Sequence, residues 1–287
     1  MRYPRRRSVA AIYGRVFVFG EEGGFDAGAD DLFEEHVYPT MFGDAEVFVL
    51  QTEEGTPLRV LYVGGGFQSA TYVGENRFQP VFAYYRAIDL VFQLGRPIRR
   101  MLMIGGGGFS YPKHLLMSTD PIHRDTSIDV VEIDPAIVEI ARKHFDLDEV
   151  ERLHGVEGAG RLGVIVADGA QVLRTSGPSA YDVIVNDSFD GAECTSALFS
   201  PEALSDTKHV LTAEGIYVAN VVADDATEAT PYANALHAVF AHVYLLLCPD
   251  EEFDGSSNNL LVASDIPLES PYQHGGSRQR RFQLRVV

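Results

Sequence analysis

The chain has few of the features that mark secreted or membrane proteins. Its 287 residues include two cysteines, Cys194 and Cys248, which are far apart and lack the spacing of metal ligands. Two such thiols do not form a disulfide framework, so we expect a reducing compartment. No apolar run approaches the roughly 18 residues of a membrane helix, and the arginine-bearing start lacks the apolar stretch of a secretory signal. We therefore predict a cytoplasmic protein without a membrane span.

Positive charge is also scarce. The 23 Lys and Arg residues are outnumbered by 41 Asp and Glu residues, which gives a formal net charge of −18. Such a charge repels nucleic acid and anionic membranes and attracts cations. The basic clusters at residues 5–7 and 278–285 lie at the ends of the chain and are interpreted as mobile ends. The nine histidines are scattered, so no metal site is expected.

The first quarter of the chain is rich in short β-type runs. Gly, Asp and Pro separate the runs Arg15–Phe19, Glu46–Gln51 and Arg59–Val63, a pattern typical of hairpins. Asp26–Met41 is expected to be an irregular or helical insert, and Val81–Leu94 has the spacing of a connecting helix. We therefore predict a small β-rich N-terminal domain over residues 1–75.

From Arg100 onward, strand patterns alternate with helix patterns. The expected strands are Met101–Ile104, Ile128–Glu132, Leu162–Val166, Asp182–Val185, Gly215–Asn220, Val243–Leu247 and Leu260–Ala263. The expected helices are Tyr111–Met117, Pro135–His144, Ala170–Arg174, Pro201–Leu211 and Pro231–Phe240. This succession predicts an α/β fold, a mostly parallel doubly wound sheet, for a second domain over residues 76–287.

The most informative stretch is a buried strand followed by two carboxylates. Val183–Val185 is β-branched, and Asp187 and Asp190 lie just past its end. Ligands bind at this edge of an open α/β sheet, where a carboxylate can accept a proton or hold a cation. The alternative is a polar loop that caps the strand, because Asp, Asn and Ser are also common in turns.

Three earlier strands end in residues of the same kind. Gly105, Gly106 and Gly107 follow the first strand, where glycine allows a tight turn and a close approach of the backbone to a ligand. The second strand ends in Glu132, and the third is followed by Asp168 and Gly169. A dinucleotide-binding dehydrogenase shares the first two features but has no reason to repeat acids on the third and fourth strands. We therefore predict one site along this edge.

The order of these motifs resembles the spermidine synthase (polyamine aminopropyltransferase) family, which has the Rossmann-like fold of S-adenosylmethionine-dependent methyltransferases. The similarity covers residues 45–264. It is carried by Gly105–Gly108, Val130–Pro135, Val166–Gly169 and Val185–Gly191, and it includes Gly66–Ser69 and Tyr84–Arg86.

The resemblance implies a role for each matching residue. Glu132 would bind the ribose hydroxyls of the donor, decarboxylated S-adenosylmethionine, and Asp168 and Gly169 would lie at its adenine beside the glycine loop. Gln68 would lie along the nucleoside or thioether. Asp187 would be the base, and Asp190 and Tyr84 would help to bind the polyamine. The resemblance also implies small-molecule substrates, no permanently bound cofactor and a homodimer.

The chemistry of the residues agrees with those roles. An amine nucleophile is protonated at neutral pH, because its pKa is near that of lysine, about 10. A carboxylate such as Asp187 can hold the ammonium and accept its proton as the new bond forms. Cys194, in the following loop, is interpreted as a loop thiol rather than a nucleophile.

The chain departs from the family pattern after the three glycines. Members usually carry an aspartate there, which binds the amine of the donor, whereas this chain has Gly108. Two alternatives therefore stay open: a small-molecule methyltransferase that uses S-adenosylmethionine itself, and a catalytically inactive protein that binds an adenosyl nucleoside.

Overall fold

Two β-sheets organise the part of the chain that the computed structural model describes. The described residues are 35–52, 55–190, 193–223, 226–248, 258–268 and 283–286. The expected strand Arg15–Phe19 lies outside them. None of the helices in these ranges is long and apolar enough to cross a bilayer.

The first sheet consists of four antiparallel strands in sequential order. They are β1 (His36–Thr40), β2 (Gly43–Gln51), β3 (Pro57–Val63) and β4 (Gly66–Tyr72). Alternation of apolar residues along β2 and β3 buries one side of each strand, as a half-buried hairpin requires. The predicted β-rich N-terminal region is therefore confirmed, and the expected domain boundary near residue 75 falls after β4.

The expectation of an irregular or helical insert at Asp26–Met41 is wrong for its described part. His36–Thr40 forms β1, which pairs with β2 in the register His36↔Val47. Pro39 is tolerated because β1 is an edge strand, where one side needs no ladder hydrogen bonds. The pairing comes from the neighbouring strand rather than from a hydrophobic run within β1.

A short helical segment joins the two sheets. The predicted helix Val81–Leu94 is shorter and divided: α1 (Ala83–Ile88) passes directly into a 3₁₀ turn, Asp89–Gln93. Five of the six residues of α1 are buried, so this helix lies inside the molecule rather than on its surface.

The remaining chain forms the second sheet, the helices around it and a separate two-stranded hairpin. Its elements, with the helices between them, are β5 (Arg100–Ile104), α2 (Ser110–Met117), β6 (Ser127–Glu132), α3 (Pro135–His144), α4 (Leu147–His154), β7 (Leu162–Val166), α5 (Gly169–Thr175), β8 (Tyr181–Asn186), a two-stranded hairpin of β9 (Phe189–Asp190) and β10 (Glu193–Cys194), α6 (Pro201–Val210), β11 (Leu211–Val222), α7 (Ala226–His237), β12 (His242–Leu247), β13 (Asn258–Ser264) and β14 (Gln283–Val286).

The strand order of this sheet is β14-β12-β13-β11-β8-β5-β6-β7. Each neighbouring pair among β7, β6, β5, β8 and β11 is parallel, whereas β13 runs antiparallel to both of its neighbours. The predicted doubly wound, mostly parallel sheet is therefore confirmed. The chain pattern did not predict α4 or β14, and α7 begins before the expected Pro231.

Alternate residues of the central strands pack on opposite faces of the sheet. On β5, Met101 and Met103 belong to the core beneath α1 and α2, whereas Leu102 and Ile104 belong to the core beneath α5, α6 and α7. Strands buried on both faces read as continuous apolar runs, which is why β5 and β8 were recognisable in the sequence.

The two sheets are joined by a third apolar cluster centred on Phe145. Leu61 and Val63 of β3 pack there with Ile137 and Ile140 of α3. Phe145 follows α3 and has no exposed surface. The N-terminal sheet is thus held against the α/β part by a continuous apolar contact.

Replacing Phe145 with Ala should test this contact. We expect a loss of about 3–5 kcal/mol in the free energy of unfolding, because a buried ring is removed and a cavity remains. Urea denaturation measures the change. Val156→Ala is the control, since Val156 is 91% exposed and should shift stability by less than about 0.5 kcal/mol. Equal losses in the two variants would contradict the assigned contact.

Candidate active site

The carboxyl ends of β5, β6, β7 and β8 meet at one edge of the sheet. Backbone hydrogen bonds extend the pairing beyond the strands, from Gly105 N to Val131 O at 2.9 Å and from Asp187 N to Ile104 O at 2.8 Å. The predicted glycines and acids therefore lie side by side.

Glycine is required at position 105 by both conformation and space. Its φ of +99° lies in a region that side chains disfavour, and a Cβ would lie 2.2 Å from the carbonyl oxygen of Asp187. Gly107 also has a positive φ, of 49°. The loop after β5 thus passes directly against the backbone that carries Asp187.

Glu132 is joined to this loop by its carboxylate. Oε2 accepts hydrogen bonds from the backbone N–H groups of Gly106, at 2.9 Å, and Gly107, at 3.2 Å, and Oε1 accepts one from Asp134 N at 3.0 Å. The side chain is buried at the end of β6. Three of its roughly four acceptor positions are used, which leaves one for a ligand hydroxyl.

Asp168 begins α5 as its N-cap. Its Oδ1 accepts a hydrogen bond from Gln171 N at 2.8 Å, and the residue is exposed. A Cβ on Gly169 would lie 2.4 Å from a methyl carbon of Ile104, so a small residue is needed where α5 meets β5. The hydrogen bond that caps α5 therefore holds this carboxylate at the edge of the sheet.

Asp187 receives three side-chain hydrogen bonds. Tyr84 Oη and Tyr85 Oη each donate to Oδ2 at 3.1 Å, and Asn220 Nδ2 donates to Oδ1 at 2.8 Å. Burial raises the pKa of this carboxyl to about 6, against the lowering effect of the three donors. Asp187 can therefore exchange a proton close to neutral pH.

Tyr85 and Asn220 were missed by the sequence reasoning. Tyr85 was visible as the second of two adjacent tyrosines, but residues i and i+1 of a helix do not ordinarily face the same group. Asn220 lies near the carboxyl end of β11, the strand next to β8. That position on the next parallel strand is the signal that would have found it.

A cavity of about 550 Å³ joins these residues. Its wall includes all but one of the predicted site residues, namely Gln68, Tyr84, Gly105, Gly106, Gly107, Glu132, Asp168, Gly169 and Asp187. The exception is Asp190, for which the structure describes the backbone alone, paired with Glu193 in the β9–β10 hairpin. Its role stays a prediction.

The charge of the cavity is one-sided. Among its described lining residues, Glu132, Asp168 and Asp187 are acidic, and none is Lys, Arg or His. In the described ranges, no three His, Cys, Asp or Glu residues are grouped so that they could hold a metal ion. The arrangement suits an organic ligand that carries positive charge.

Cys194 lies near Asp187 but is not poised for attack. The residue is buried, and its thiol lies 3.5 Å from the backbone oxygen of Asn220. Burial raises the pKa of the thiol, so it is neutral near pH 7.

The space at Gly108 is occupied by neighbouring side chains. A Cβ there would lie 2.6 Å from Ser69 Oγ and 2.9 Å from a ring carbon of Phe145. Ser69 Oγ is in turn 2.8 Å from Ser110 Oγ in a buried hydrogen bond. An added side chain at this position therefore requires Ser69 or Phe145 to move.

The strand order and the glycine loop followed by three strand-end acids define a class of protein. This is the Rossmann-like fold of S-adenosylmethionine-dependent methyltransferases, preceded by a β-rich region. Residues 47–245 match the family model described as the spermine/spermidine synthase domain. The chain belongs to the spermine/spermidine synthase family.

Individual relatives agree with this family at low identity. A polyamine aminopropyltransferase of Neisseria meningitidis is 30% identical over 184 residues, which cover 63% of this chain and 64% of the relative. The chain thus matches less than two thirds of that enzyme's length. The crystal structure of a probable spermidine synthase from Corynebacterium glutamicum has a TM-score of 0.68 at 20% identity. The aligned residues cover 88% of this chain and 91% of that synthase chain.

A methyltransferase is also similar over part of the chain. The human eEF1A lysine and N-terminal methyltransferase is 28% identical over 170 residues, which cover 58% of this chain and 23% of that protein. The family model is named for spermine and spermidine synthases and the Neisseria relative for polyamine aminopropyl transfer, so both names describe transferases.

Introducing the family's aspartate at position 108 should destabilise this protein. We expect Gly108→Asp to lower the free energy of unfolding by about 1–3 kcal/mol or more, because an added side chain overpacks the contact with Ser69 and Phe145. Thermal and urea denaturation measure the loss. The matched control is Gly177→Asp, where nothing lies within 4 Å of an added Cβ. A stable Gly108→Asp protein would show that the contact is looser than described.

Proposed function

We propose that this protein transfers an aminopropyl group from decarboxylated S-adenosylmethionine to a di- or polyamine and releases methylthioadenosine. The observation that carries the proposal is the position of Asp187: its carboxylate shares one cavity wall with the glycine loop and Glu132. A proton acceptor is thereby placed beside the part of the site suited to a nucleoside.

The charge of the cavity supports the decarboxylated donor. The N–H groups of Gly106 and Gly107, which could otherwise bind an anion, donate to Glu132. A donor that retained its carboxylate would find no cationic side chain among the described lining residues. A donor with only ammonium and sulfonium charges is matched by the three carboxylates.

The proposed step is an in-line displacement. Asp187 holds the acceptor ammonium and accepts one proton as the amine nitrogen bonds to the propyl carbon next to sulfur. The carbon–sulfur bond breaks, and its electron pair stays on sulfur to give neutral methylthioadenosine. The proton then passes from Asp187 to solvent. Since sulfonium is a good leaving group, orientation supplies most of the remaining acceleration.

The predicted contacts of the other site residues belong to the same proposal. Glu132 would bind the ribose hydroxyls, one of them at its remaining acceptor position, and Asp168 with Gly169 would lie at the adenine. Gln68 would lie along the nucleoside or thioether, and Tyr84 and Asp190 would contact the amine.

A homodimer, a cytoplasmic location and a domain boundary near residue 75 also stay predictions. Light scattering, cell fractionation and limited proteolysis test these three.

A methyltransferase of small molecules is the second candidate. Gly108 favours it: an aspartate at this position would repel the carboxylate of S-adenosylmethionine, and this chain has none there. Incubation with each donor distinguishes the two activities: putrescine and the decarboxylated donor should yield methylthioadenosine, whereas a methyltransferase yields S-adenosylhomocysteine. Donor binding in calorimetry without either product would instead support an inactive nucleoside-binding protein.

Replacing Asp187 with Asn should abolish turnover and spare the nucleoside. The amide cannot accept the ammonium proton, so we expect a loss of at least 100-fold in kcat, the lower range for general base catalysis. Affinity for methylthioadenosine should change less than about threefold in calorimetry. Ser188→Ala, a change at the adjacent cavity residue, is the control. Full activity of Asp187→Asn would exclude this carboxylate as the base.

The rate should depend on the ionisation of Asp187. Because burial raises its pKa to about 6, kcat/KM for the amine should rise from low pH and level off above about pH 7. A pH series with methylthioadenosine as the measured product tests this. A profile that is flat between pH 5 and about pH 7 would contradict the assignment, since a base must be ionised to act.

A further inference from the structure

The hydrogen bonds around Asp187 restrict where an amine can bind it. An ionised carboxylate has about four acceptor positions. Two hydroxyls share Oδ2, and one amide donates to Oδ1, so a single position is left, on Oδ1. The three donors come from α1 and β11, which are separate in sequence.

We propose that Tyr85 and Asn220 are positioning residues that, together with Tyr84, orient the Asp187 carboxylate so that one acceptor position on Oδ1 is left for the substrate amine. The catalytic part of this inference rests on the proposed function. The orientation itself rests on the hydrogen bonds alone.

The two tyrosines act as donors throughout the neutral range. Burial, followed by the negative charge of Asp187, raises the pKa of both hydroxyls well above its usual value. Their rings lie 4.1 Å apart between centroids, and both residues are about 95% buried or more. The packing of the two rings therefore holds both hydroxyls beside Asp187.

Asn220 is fixed as a donor by a second contact. Its Nδ2 also donates to Asn258 Oδ1 at 3.0 Å, so both N–H bonds of the amide are used. The residue is 3% exposed, and its Oδ1 has no hydrogen-bond partner. A flipped amide would direct that oxygen at the carboxylate, which is repulsive while Asp187 is ionised.

Among the described side chains, few groups that can titrate lie around Asp187. Tyr84 and Tyr85 face it from α1, and Cys194 faces it from β10; burial raises the pKa of each of the three. The cavity adds the carboxylates of Glu132, at the end of β6, and Asp168, which follows β7. Near pH 6 the tyrosines and the thiol are neutral, so the loss of one of their hydrogen bonds changes the pKa of Asp187 and not their own charge.

The first test removes one hydroxyl. In Tyr85→Phe the ionised carboxylate loses a donor, so we expect the acid limb of the pH–rate profile to move up by about one pH unit, the equivalent of a hydrogen bond to a charged group. Tyr111→Phe is the matched control. Its ring lies 6.3 Å from that of Tyr85, but its hydroxyl donates to Asp89 rather than to Asp187.

A second variant approaches the same carboxylate from β11. Asn220→Asp keeps the shape but replaces a donor with an acid, so the limb should move in the same direction and further than in Tyr85→Phe. An unchanged limb in both variants, with an unchanged KM for the amine, would overturn the proposal. A shifted limb in Tyr111→Phe would show a packing effect instead and would also overturn it.

A readout without catalysis separates this inference from the proposed function. The folded protein binds the Asp187 proton more tightly than the unfolded chain does, because the folded pKa is about 6 and the unfolded value is about 4. The free energy of unfolding, relative to that of Asp187→Asn, should therefore fall as the pH rises from about 4 to about 6 and be constant at higher pH.

In the Tyr85→Phe background this fall should extend about one pH unit higher. If no amine is a substrate but the fall extends in this way, the proposed function fails and the positioning role stands. If the fall is the same with and without the Tyr85 hydroxyl, the positioning role fails whatever the activity.

Discussion

The close approach of two backbones between β5 and β8 is the constraint on which the site depends. Asp187 N donates to Ile104 O just past the ends of both strands, and the Asp187 carbonyl lies where a Cβ of residue 105 would be. Only glycine permits this contact. The same turn directs the N–H groups of Gly106 and Gly107 at Glu132. One turn therefore fixes the proposed nucleoside side and the proposed amine side relative to each other.

Each buried carboxylate of this edge is stabilised by a dense set of donors. Glu132 accepts three backbone N–H groups, and Asp187 accepts two hydroxyls and one amide. Burying a charge is unfavourable unless it is hydrogen-bonded. The pKa of Asp187 is still raised to about 6, so its donors do not offset burial completely. That residual cost keeps the carboxyl ready to exchange a proton near neutral pH, at the expense of stability.

The N-terminal sheet shapes the site from behind the glycine loop. Ser69 of β4 and Phe145 fill the space beside Gly108. Lys113 of α2 is buried nearby, where its Nζ donates to Phe145 O at 2.7 Å, and burial lowers its pKa to about 7. The missing acid at position 108 is thus part of a packed contact between the sheets rather than an open gap. Donor preference therefore depends on the missing charge at position 108 together with the groups that line the cavity.

The sequence by itself determined the features that depend on neighbours in the chain. Pro135–His144 and Leu162–Val166 have the expected bounds, because an N-cap with proline and a β-branched run are local signals. The order of strand-end glycines and acids followed from the same alternation. Tertiary structure alone decided that Tyr85 and Asn220 meet at Asp187, that β1 pairs as an edge strand and that Gly108 is enclosed. These depend on packing between distant segments, and no local pattern specifies which side chains converge.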